Sequence, residues 1–381
     1  MNFVRFLKEY GLVDIAYSFK TTEEISENDI FSNEYLLKKK EFPKSLGEHF
    51  FNFMKGIPYP IREYCDDSQK LLESLLRTKN YDYILVRYVF SAVGLLALKD
   101  RVGPRVIMDF DDVLSGSLYE TSFSPTESIF RRFLRKLNKR LLQNYEKRCL
   151  RLGTSLFCSE GDRNRITRET QRNDSFVVPN TYDNVLFEGY DFGDGFNRKD
   201  TLLFVGTLNY PPNVEGLKWF VESVYNKLKQ DYPDTELLVV GRSPSEEVRK
   251  LCETTKGIEL YADAPDIKEY YKRCGGVVVP LLAGGGTRIK ILEAALACRP
   301  VLSTPVGAEG LDLADEGNLL LFESCDDFLA KLRTLHDKRY YDFLVANAKK
   351  LVLDRYSKQT FEDAMQRVLN HIDRKVKHVE G

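Results

Sequence analysis

The stretch VVVPLLAGGGTRIKILEAALACRPVLSTPVGAEGL, residues 277–311, decides the fold of this chain. It opens with an apolar, β-branched run that is typical of a buried strand, and three glycines follow. A helical pattern comes next, and then a second apolar run and a second glycine-containing turn. This order predicts a unit of strand, turn, helix and strand, in which the glycine turn joins the first strand to the helix.

The glycine turn has the composition of an anion-binding loop. Glycine adopts backbone angles that are closed to other residues, so main-chain N–H groups in such a turn can surround a phosphate. The turn contains Gly284, Gly285 and Gly286. We expect Thr287 to cap the following helix, and Glu293 to accept hydrogen bonds from the vicinal hydroxyls of a sugar. Arg288 and Lys290 add full positive charges where a diphosphate would lie. The alternative is a turn whose glycines only permit tight packing and whose cations face solvent.

Residues 200–355 alternate strand and helix patterns regularly, which predicts a Rossmann-like, nucleotide-binding domain. Its first strand is TLLFVG and a later one is ELLVVGR. Because ligands lie at the carboxyl ends of such strands, three further residues are expected to join the glycine turn in binding the ligand. They are Gly206, Thr207 and Arg242. Residues 356–381 form an amphipathic helical pattern that we expect to cross back to the N-terminal domain.

Residues 1–190 predict a second Rossmann-like domain, because apolar runs rich in Val, Ile and Tyr again alternate with helical patterns. A segment rich in Gly, Asp and Asn, EGYDFGDGFNRKD, breaks both periodicities and marks the domain boundary. The chain is therefore predicted to be an α/β protein whose two domains face each other across a cleft. It opens on a helical pattern at residues 3–10, so either the N-terminal sheet starts late or its first strand is missing.

Carboxylates follow one predicted strand of the N-terminal domain, RVIMDF, where the sequence reads DFDD. Asp109, Asp111 and Asp112 are therefore expected near the ligand edge of the sheet. Asp109 and Asp111 are candidate catalytic residues, as a general base or as carboxylates that orient an acceptor hydroxyl. Two other interpretations stay open. One is a metal site that holds a diphosphate through Mg²⁺ or Mn²⁺, and the other is a set of aspartates that only cap the next segment.

A strongly basic helix is predicted at residues 130–152, FRRFLRKLNKRLLQNYEKRCLRL. Phe133, Leu134 and Leu137 recur at helical spacing among many Arg and Lys residues. Such an amphipathic helix suits an anionic membrane surface or a lipid diphosphate. The alternative is a surface helix that buries its leucines in its own domain.

Composition narrows the class of protein. The chain has 56 Lys plus Arg against 57 Asp plus Glu, which does not favour nucleic-acid binding. Its seven cysteines lack the CxxC spacing of zinc sites, which indicates reduced thiols and no structural metal. The longest apolar run, residues 84–98, contains Arg87 and is too short to span a membrane. We expect a cytoplasmic protein, either free or peripheral at the inner face of the membrane.

Several of these segments together resemble glycosyltransferase family 4, whose members are retaining enzymes with the GT-B fold, and in particular its bacterial surface-polysaccharide members. The segments are FVGTLNYPPNVEGLKWF (204–220), LLVVGRSP (237–244), the stretch 277–311, VVPN (177–180), CSEGD (158–162) and DFDDVLS (109–115). The resemblance covers nearly the whole chain and is strongest at residues 201–311.

The resemblance implies transfer of a hexose from a UDP-, GDP- or ADP-sugar to a glycan or a lipid-linked acceptor. Transfer would proceed with retention at the anomeric carbon, without a metal ion or other cofactor. Glu293 matches the second Glu of the family's Glu-x7-Glu pair, which is expected on the ribose hydroxyls of the donor. The first Glu of the pair would fall at Gly285, so backbone groups would have to contact the sugar there.

The diphosphate contacts also depart from the family pattern. Many members have an Arg and a Lys after the first strand of this domain, where this chain has Thr207 and Asn213. Arg288 and Lys290 would then hold the diphosphate and stabilise the departing nucleotide, on which negative charge grows in the transition state.

Two other classes of function stay open. If the N-terminal domain lacks a strand, the chain is an inactive or truncated homologue that binds nucleotide sugars without using them. Nucleotide-sugar epimerases share this architecture, but they usually carry more acidic and His residues in motifs than this chain offers.

Overall fold

A computed structural model describes residues 2–17, 31–41, 52, 54–59, 61–98, 105–117, 129–168, 174–182 and 187–380. The chain separates into two compact units. The first consists of the described residues within Met1–Ser115, Pro125–Val178 and Glu362–Gly381, and the second of those within Gly116–Ser124 and Pro179–Phe361. Residues 179–182 and 187–190, which we predicted to belong to the N-terminal domain, are therefore part of the second unit.

The first unit contains parallel strands in two sheets. Helix α1 (Asn2–Lys8) precedes β1 (Asp14–Tyr17), which pairs in parallel with β2 (Asn33–Leu36). The second sheet runs in chain order through β3 (Ile84–Arg87), β4 (Val106–Asp109), β5 (Thr154–Phe157) and β6 (Ser175–Val177). β4 and β5 are buried along their whole length, as parallel strands covered on both faces are. In the described chain, the first strand of this unit thus follows a helix.

The helices of the first unit connect these strands. Among the described residues they are α2 (Asp66–Thr78), α3 (Val93–Leu96), α4 (Leu114–Ser117), which ends in the second unit, α5 (Ile129–Cys149) and α6 (Glu160–Thr167). Asp66 and Asp67 lie in the first turn of α2, where the helix dipole favours negative charge. The Ser159 side chain accepts a hydrogen bond from the Asp162 backbone N–H, which caps α6 directly after β5.

The second unit is built on one parallel sheet of six strands. They are β7 (Thr201–Val205), β8 (Glu236–Gly241), β9 (Ile258–Ala262), β10 (Gly276–Val279), β11 (Val301–Ser303) and β12 (Leu320–Leu321). Across the sheet the order is β9-β8-β7-β10-β11-β12, so the first strand is central and the succession reverses between β7 and β10. This is the strand order of the Rossmann fold, and the predicted fold of this unit is confirmed.

Successive strand residues of the second unit face two different cores. Leu202 and Phe204 of β7 belong to one core, whereas Leu203 and Val205 belong to the other. The covering helices are α7 (Pro211–Phe220), α8 (Asn226–Asp231), α9 (Glu246–Thr254), α10 (Lys268–Arg273), α11 (Ile289–Leu296), α12 (Cys325–Thr334) and α13 (Lys338–Arg355). A π-helical turn, Val221–Tyr225, joins α7 to α8.

The last helix, α14 (Lys358–Glu380), begins in the second unit and ends in the first. Its later turns are attached to the first unit by polar side chains. The Tyr83 hydroxyl donates to Asp373 at 2.7 Å, and His371 Nε2 lies 3.2 Å from Asp174 Oδ1. Lys375 pairs with the same Asp174 carboxylate. Residues from 362 onward therefore contribute to the N-terminal unit.

Candidate active site

The two strands at which the order of the second sheet reverses, β7 and β10, end at neighbouring positions. The turn after β7 starts with Gly206 and Thr207, and the segment after β10 leads into the glycine turn at 284–286. In open α/β sheets the ligand crevice lies at this reversal, outside the carboxyl ends of the strands. The fold therefore brings the sequence-predicted groups of this unit to one edge of one sheet.

The glycine turn uses conformations that other residues rarely adopt. Gly284 has φ of 113° and Gly286 has φ of 77°. The second glycine turn lies beside it, because a Cβ atom on Gly310 would be 3.8 Å from the Gly286 carbonyl oxygen. The prediction of a turn that depends on glycine is confirmed at Gly284 and Gly286.

Thr287 does not cap the following helix, so that prediction is wrong. α11 begins at Ile289, and its N-cap residue is Arg288, whose side chain makes no capping bond. The Ile289 backbone N–H donates to the Thr287 carbonyl at 3.0 Å instead. Thr287 lies one position too early for a cap, and its hydroxyl accepts a hydrogen bond from Asn180 Nδ2 at 3.3 Å.

Lys290 reaches from α11 to Asn213 in the first turn of α7, the helix that follows β7. Its Nζ donates to Asn213 Oδ1 at 3.2 Å, and Asn213 Nδ2 donates to the Thr207 carbonyl at 3.0 Å. The ammonium group also lies 5.2 Å from the centre of the Phe204 ring. Burial is the main cause, and the charge of Arg288 the second, that lowers the pKa of Lys290 to about 8. The ammonium ion is therefore poorly solvated, and an anion at this position would stabilise it.

Gly206 is the residue that lets these groups approach. A Cβ atom at this position would lie 2.7 Å from Asn213 Nδ2 and 3.1 Å from Lys290 Nζ. Any side chain here would displace the amide or the ammonium group. The glycine after β7 is thus required by the packing around Lys290.

Arg288 folds back onto its own turn. The residue is only 8% exposed, and Nη1 donates to the Gly285 carbonyl. Nη2 lies 3.4 Å from the place where a Cβ atom on Gly284 would be. The guanidinium group is therefore held inside the glycine turn, and Arg288 and Lys290 place two positive charges beside the reversal of the sheet.

Glu293 is held by a tyrosine that the sequence analysis missed. The Tyr271 hydroxyl donates to Glu293 Oε2 at 2.9 Å. Burial raises the pKa of Glu293, whereas the Tyr271 hydrogen bond and the charge of Lys290 act in the opposite direction. The only signal for Tyr271 in the sequence is an aromatic residue at an inward position of the short helix α10.

Arg242 and Thr207 stand at the solvent side of this edge. Both are exposed, and Arg242 follows the carboxyl end of β8. The Arg242 carbonyl accepts a hydrogen bond from the Leu208 backbone N–H at 2.8 Å, which ties the turns after β7 and β8 together. Arg242 therefore lies at the predicted edge of the sheet, where this backbone hydrogen bond holds it.

The first unit has its own polar cluster, at the carboxyl ends of β3 and β4. Arg87 and Asp109 are register partners on these strands, and Arg87 Nε donates to Asp109 Oδ2 at 2.8 Å. Arg87 Nη2 lies 3.5 Å from Asp111 Oδ1, and the Asp111 backbone N–H donates to Asp109 Oδ1 at 3.2 Å. Asp111 has φ of 54°, an uncommon value for a residue other than glycine. From the sequence, Arg87 counted only as the charge that interrupts an apolar run; its position at the end of a strand is the signal that could have placed it in this cluster.

The two candidate aspartates differ in their surroundings. Asp109 is 4% exposed, and burial raises its pKa to about 6 although Arg87 opposes the change. Asp111 is half-buried. Among the residues that the structure describes, no group of three or more His, Cys, Asp and Glu side chains is arranged to hold a metal ion.

The basic helix α5 is divided into two parts. Its later turns are anchored in the first unit through Leu142, Tyr145 and Cys149, which are all fully buried. Earlier in the helix, Phe133 is 60% exposed and Leu134 is 46% exposed. None of the described helices is both long enough and apolar enough to cross a bilayer.

These observations define a two-unit α/β protein with a Rossmann-type sheet and a glycine turn at its ligand edge. Residues 199–338 match the family model described as glycosyl transferases group 1. A curated relative from Klebsiella pneumoniae, called an uncharacterized 44.6 kDa protein in the cps region, is 26% identical over 84% of this chain and 80% of its own length. The phosphatidyl-myo-inositol mannosyltransferase of Mycolicibacterium smegmatis is 26% identical over 63% of this chain and 58% of its own length.

A solved structure shows the same fold over nearly the whole chain. The crystal structure of HepE from Anabaena, in complex with UDP and glucose, has a TM-score of 0.65 at 15% identity and covers 97% of this chain and 95% of its own. The chain therefore has the GT-B fold of glycosyltransferases, and its residues 199–338 are similar to glycosyl transferases group 1.

Proposed function

We propose that this enzyme transfers a hexose, with retention and without a metal ion, from a nucleotide diphosphate sugar to a glycan or lipid-linked acceptor. The relative in a cps region and the mannosyltransferase relative support a role in building a bacterial surface polysaccharide. In this reaction the bond between C1 of the sugar and the diphosphate oxygen breaks, and C1 forms a bond to an acceptor oxygen on the same face.

The observation that carries the proposal is the position of Lys290. Its Nζ lies 3.2 Å from Asn213 Oδ1, in the first turn of α7, which follows the segment after β7 where many family members have their own cations. With Arg288 inside the glycine turn, both charges would contact the leaving diphosphate, where negative charge grows as the C1–O bond breaks. The N–H groups of the turn at 284–287 and of Gly206 and Thr207 would complete the phosphate site.

The donor is proposed to be a UDP-sugar, with GDP- and ADP-sugars as the alternatives. The HepE structure, which contains UDP and glucose, supports UDP. Glu293 would accept hydrogen bonds from the ribose hydroxyls, and Arg242, exposed beyond β8, would contact the nucleotide from the other side of the site. Gly285, which stands where the family has its first Glu, would contact the sugar through its backbone.

The acceptor is proposed to contact Asp111 in the first unit. Asp109 is buried and bound to Arg87, so it is better placed to hold the cluster than to meet a substrate. Asp111 is more exposed, and its strained backbone is fixed by Asp109, which is a common arrangement at functional sites. Its carboxylate would orient the acceptor hydroxyl or accept its proton.

The membrane is proposed to bind the first turns of α5. Phe133 and Leu134 offer exposed apolar surface, and Lys136 and Arg140 are exposed on the same helix. Lys136, Lys139 and Arg140 make no ion pair with any residue that the structure describes. An anionic bilayer would supply the missing negative charge and bury the apolar side chains. The protein would then work in the cytoplasm at the inner face of the membrane.

The test is a panel of UDP-, GDP- and ADP-sugars offered to the wild type, to Arg288→Ala and to Lys290→Ala. Arg249→Ala, which removes an exposed positive charge from α9, is the control. We expect the wild type and the control to release nucleoside diphosphate from one donor, and the two site variants to lose most of this activity while remaining folded. Wild-type turnover in both site variants would refute the diphosphate assignment. Binding without any sugar release from the wild type would favour the inactive homologue.

A further inference from the structure

Tyr271 is one of the largest fully buried side chains of the second unit, and its hydroxyl lies at the candidate site. The ring belongs to the core that contains Leu203 and Val277, and it packs edge-on against Phe187 at 5.9 Å. The hydroxyl lies 2.9 Å from Glu293 Oε2 and 3.3 Å from the Lys290 carbonyl oxygen. A buried hydroxyl needs such a partner, because an unsatisfied one costs about 1–3 kcal/mol.

The direction of the hydrogen bond follows from the chemistry of the pair. Burial raises the pKa of Tyr271 far above its ordinary value, so the hydroxyl keeps its proton and donates it. The hydroxyl has one proton, and the carboxylate is both the nearer and the stronger acceptor. Tyr271 therefore binds Glu293 in preference to the Lys290 carbonyl.

The Tyr271 bond leaves Glu293 able to accept further hydrogen bonds. A carboxylate has about four acceptor positions, and Tyr271 uses one of them. No described residue donates a hydrogen bond to Glu293 Oε1. Because Oε2 is fixed by Tyr271 and the helix fixes the backbone, the carboxylate plane cannot rotate freely. A fixed carboxylate can accept from two neighbouring hydroxyls at once, whereas a rotating one loses entropy on binding them.

We propose that Tyr271 is a positioning residue that holds the Glu293 carboxylate against the vicinal hydroxyls of the donor ribose, and so makes the site select ribonucleotides over 2′-deoxyribonucleotides. The inference rests on the proposed function, since it assumes that Glu293 faces a ribose. It adds the residue that makes Glu293 selective. A site built to bind a hydroxyl rejects an analogue that lacks it, because the polar group of the site is left unpaired.

The experiment compares binding of UDP and 2′-deoxy-UDP by isothermal titration calorimetry, or the corresponding guanosine or adenosine pair if that nucleotide binds the wild type best. The proteins are the wild type, Glu293→Ala, Tyr271→Phe and Tyr270→Phe. Tyr271→Phe removes one oxygen and keeps the ring in the core. Tyr270→Phe is the matched control, because Tyr270 is the next residue and its ring packs on Tyr261 rather than on Glu293.

We expect the wild type and Tyr270→Phe to prefer UDP by about tenfold or more. Glu293→Ala should bind both nucleotides equally. Tyr271→Phe should bind UDP about five- to tenfold more weakly while its affinity for 2′-deoxy-UDP stays the same, so that most of the preference disappears. Thermal unfolding of each variant shows whether it is folded.

The possible failures are distinguishable. A Tyr271→Phe variant that binds and discriminates like the wild type would overturn the positioning role and leave the proposed function intact. An equal loss of affinity for UDP and 2′-deoxy-UDP in Tyr271→Phe would mean general damage to the site, and would also overturn the positioning role. A wild type that binds none of UDP, GDP and ADP would refute the proposed function, and the inference with it.

Discussion

Lys290→Met should have two effects of opposite sign, because it removes a charge that the fold tolerates poorly and that the donor is proposed to use. Methionine matches the lysine side chain out to the ε position and lacks only the terminal ammonium group, so the packing beside the Phe204 ring is largely preserved. Asn213 loses its 3.2 Å partner but keeps its bond to the Thr207 carbonyl. We therefore expect the variant to fold and the turn after β7 to stay in place.

The effect on stability can be worked out from the pKa of the lysine. Burial and the charge of Arg288 lower the pKa of Lys290 from 10.5 to about 8. One pH unit corresponds to about 1.4 kcal/mol, so keeping the ammonium ion in this site costs the folded protein about 3 kcal/mol at pH 7. This cost is fully present below pH 8 and fades as the pH rises towards 10.5. At pH 7 the free energy of unfolding of Lys290→Met should equal or exceed that of the wild type.

The effect on binding has the opposite sign. A diphosphate beside Lys290 would recover about the same 3 kcal/mol, which is a factor of about 100 in Kd. We expect UDP to bind Lys290→Met about 100-fold more weakly at pH 7. In the wild type, affinity should fall about tenfold between pH 7 and pH 9, because the free protein loses the proton near pH 8 and the complex retains it. The variant should lack this pH dependence.

Calorimetric titration with UDP and urea unfolding measure the two effects on the same samples, with Arg249→Met as the control for a lost surface charge. GDP or ADP replaces UDP if it binds the wild type more tightly. Equal affinity of variant and wild type at pH 7 would refute the reasoning. The same fall in affinity between pH 7 and pH 9 in both proteins would refute it as well.

Four further changes test other parts of the site. Gly206→Ala places a Cβ atom 2.7 Å from Asn213 Nδ2, so we expect donor affinity to fall about tenfold in calorimetry with an unchanged circular dichroism spectrum; unchanged affinity would show that this close approach is not needed for binding. Asp111→Asn should raise the acceptor KM at least tenfold and leave the Kd of the nucleotide unchanged. An equal rise in the acceptor KM and the nucleotide Kd would place Asp111 outside the acceptor site. The turnover rate should be unchanged in excess EDTA. Inactivation by EDTA that Mg²⁺ or Mn²⁺ reverses would favour the interpretation of the DFDD aspartates as a metal site. Flotation with vesicles should need anionic lipid and should weaken in Phe133→Ser with Leu134→Ser; flotation that is independent of lipid charge would exclude the proposed role of α5.

The Rossmann unit could be predicted from the sequence because its signals are local. Each strand is an apolar run of a few residues, and each is followed by a turn and a helical period. The glycine turn was found for the same reason, since Gly284 and Gly286 are needed by the backbone itself. From the sequence we inferred only that Arg288 and Lys290 replace the charges missing at Thr207 and Asn213; the contact between Lys290 and Asn213, 77 positions apart, is seen only in the structure.

The residues that the sequence did not reveal act through contacts between distant segments. Tyr271 and Glu293 are 22 positions apart, and Arg87 and Asp109 meet only because β3 and β4 pair in register. No local period indicates such pairs. Thr287 failed as a helix cap for a different reason: the turn ends one residue later than its composition suggests, and the helix starts at Ile289.

The most direct test of the central claim, that the glycine turn holds the donor diphosphate, is a crystal structure with a bound nucleoside diphosphate. The diphosphate should lie within hydrogen-bonding distance of Arg288 and Lys290, next to the backbone N–H groups of the turns at 206–207 and 284–287. The ribose hydroxyls should contact Glu293. A diphosphate bound away from Lys290, with the ribose away from Glu293, would contradict the account.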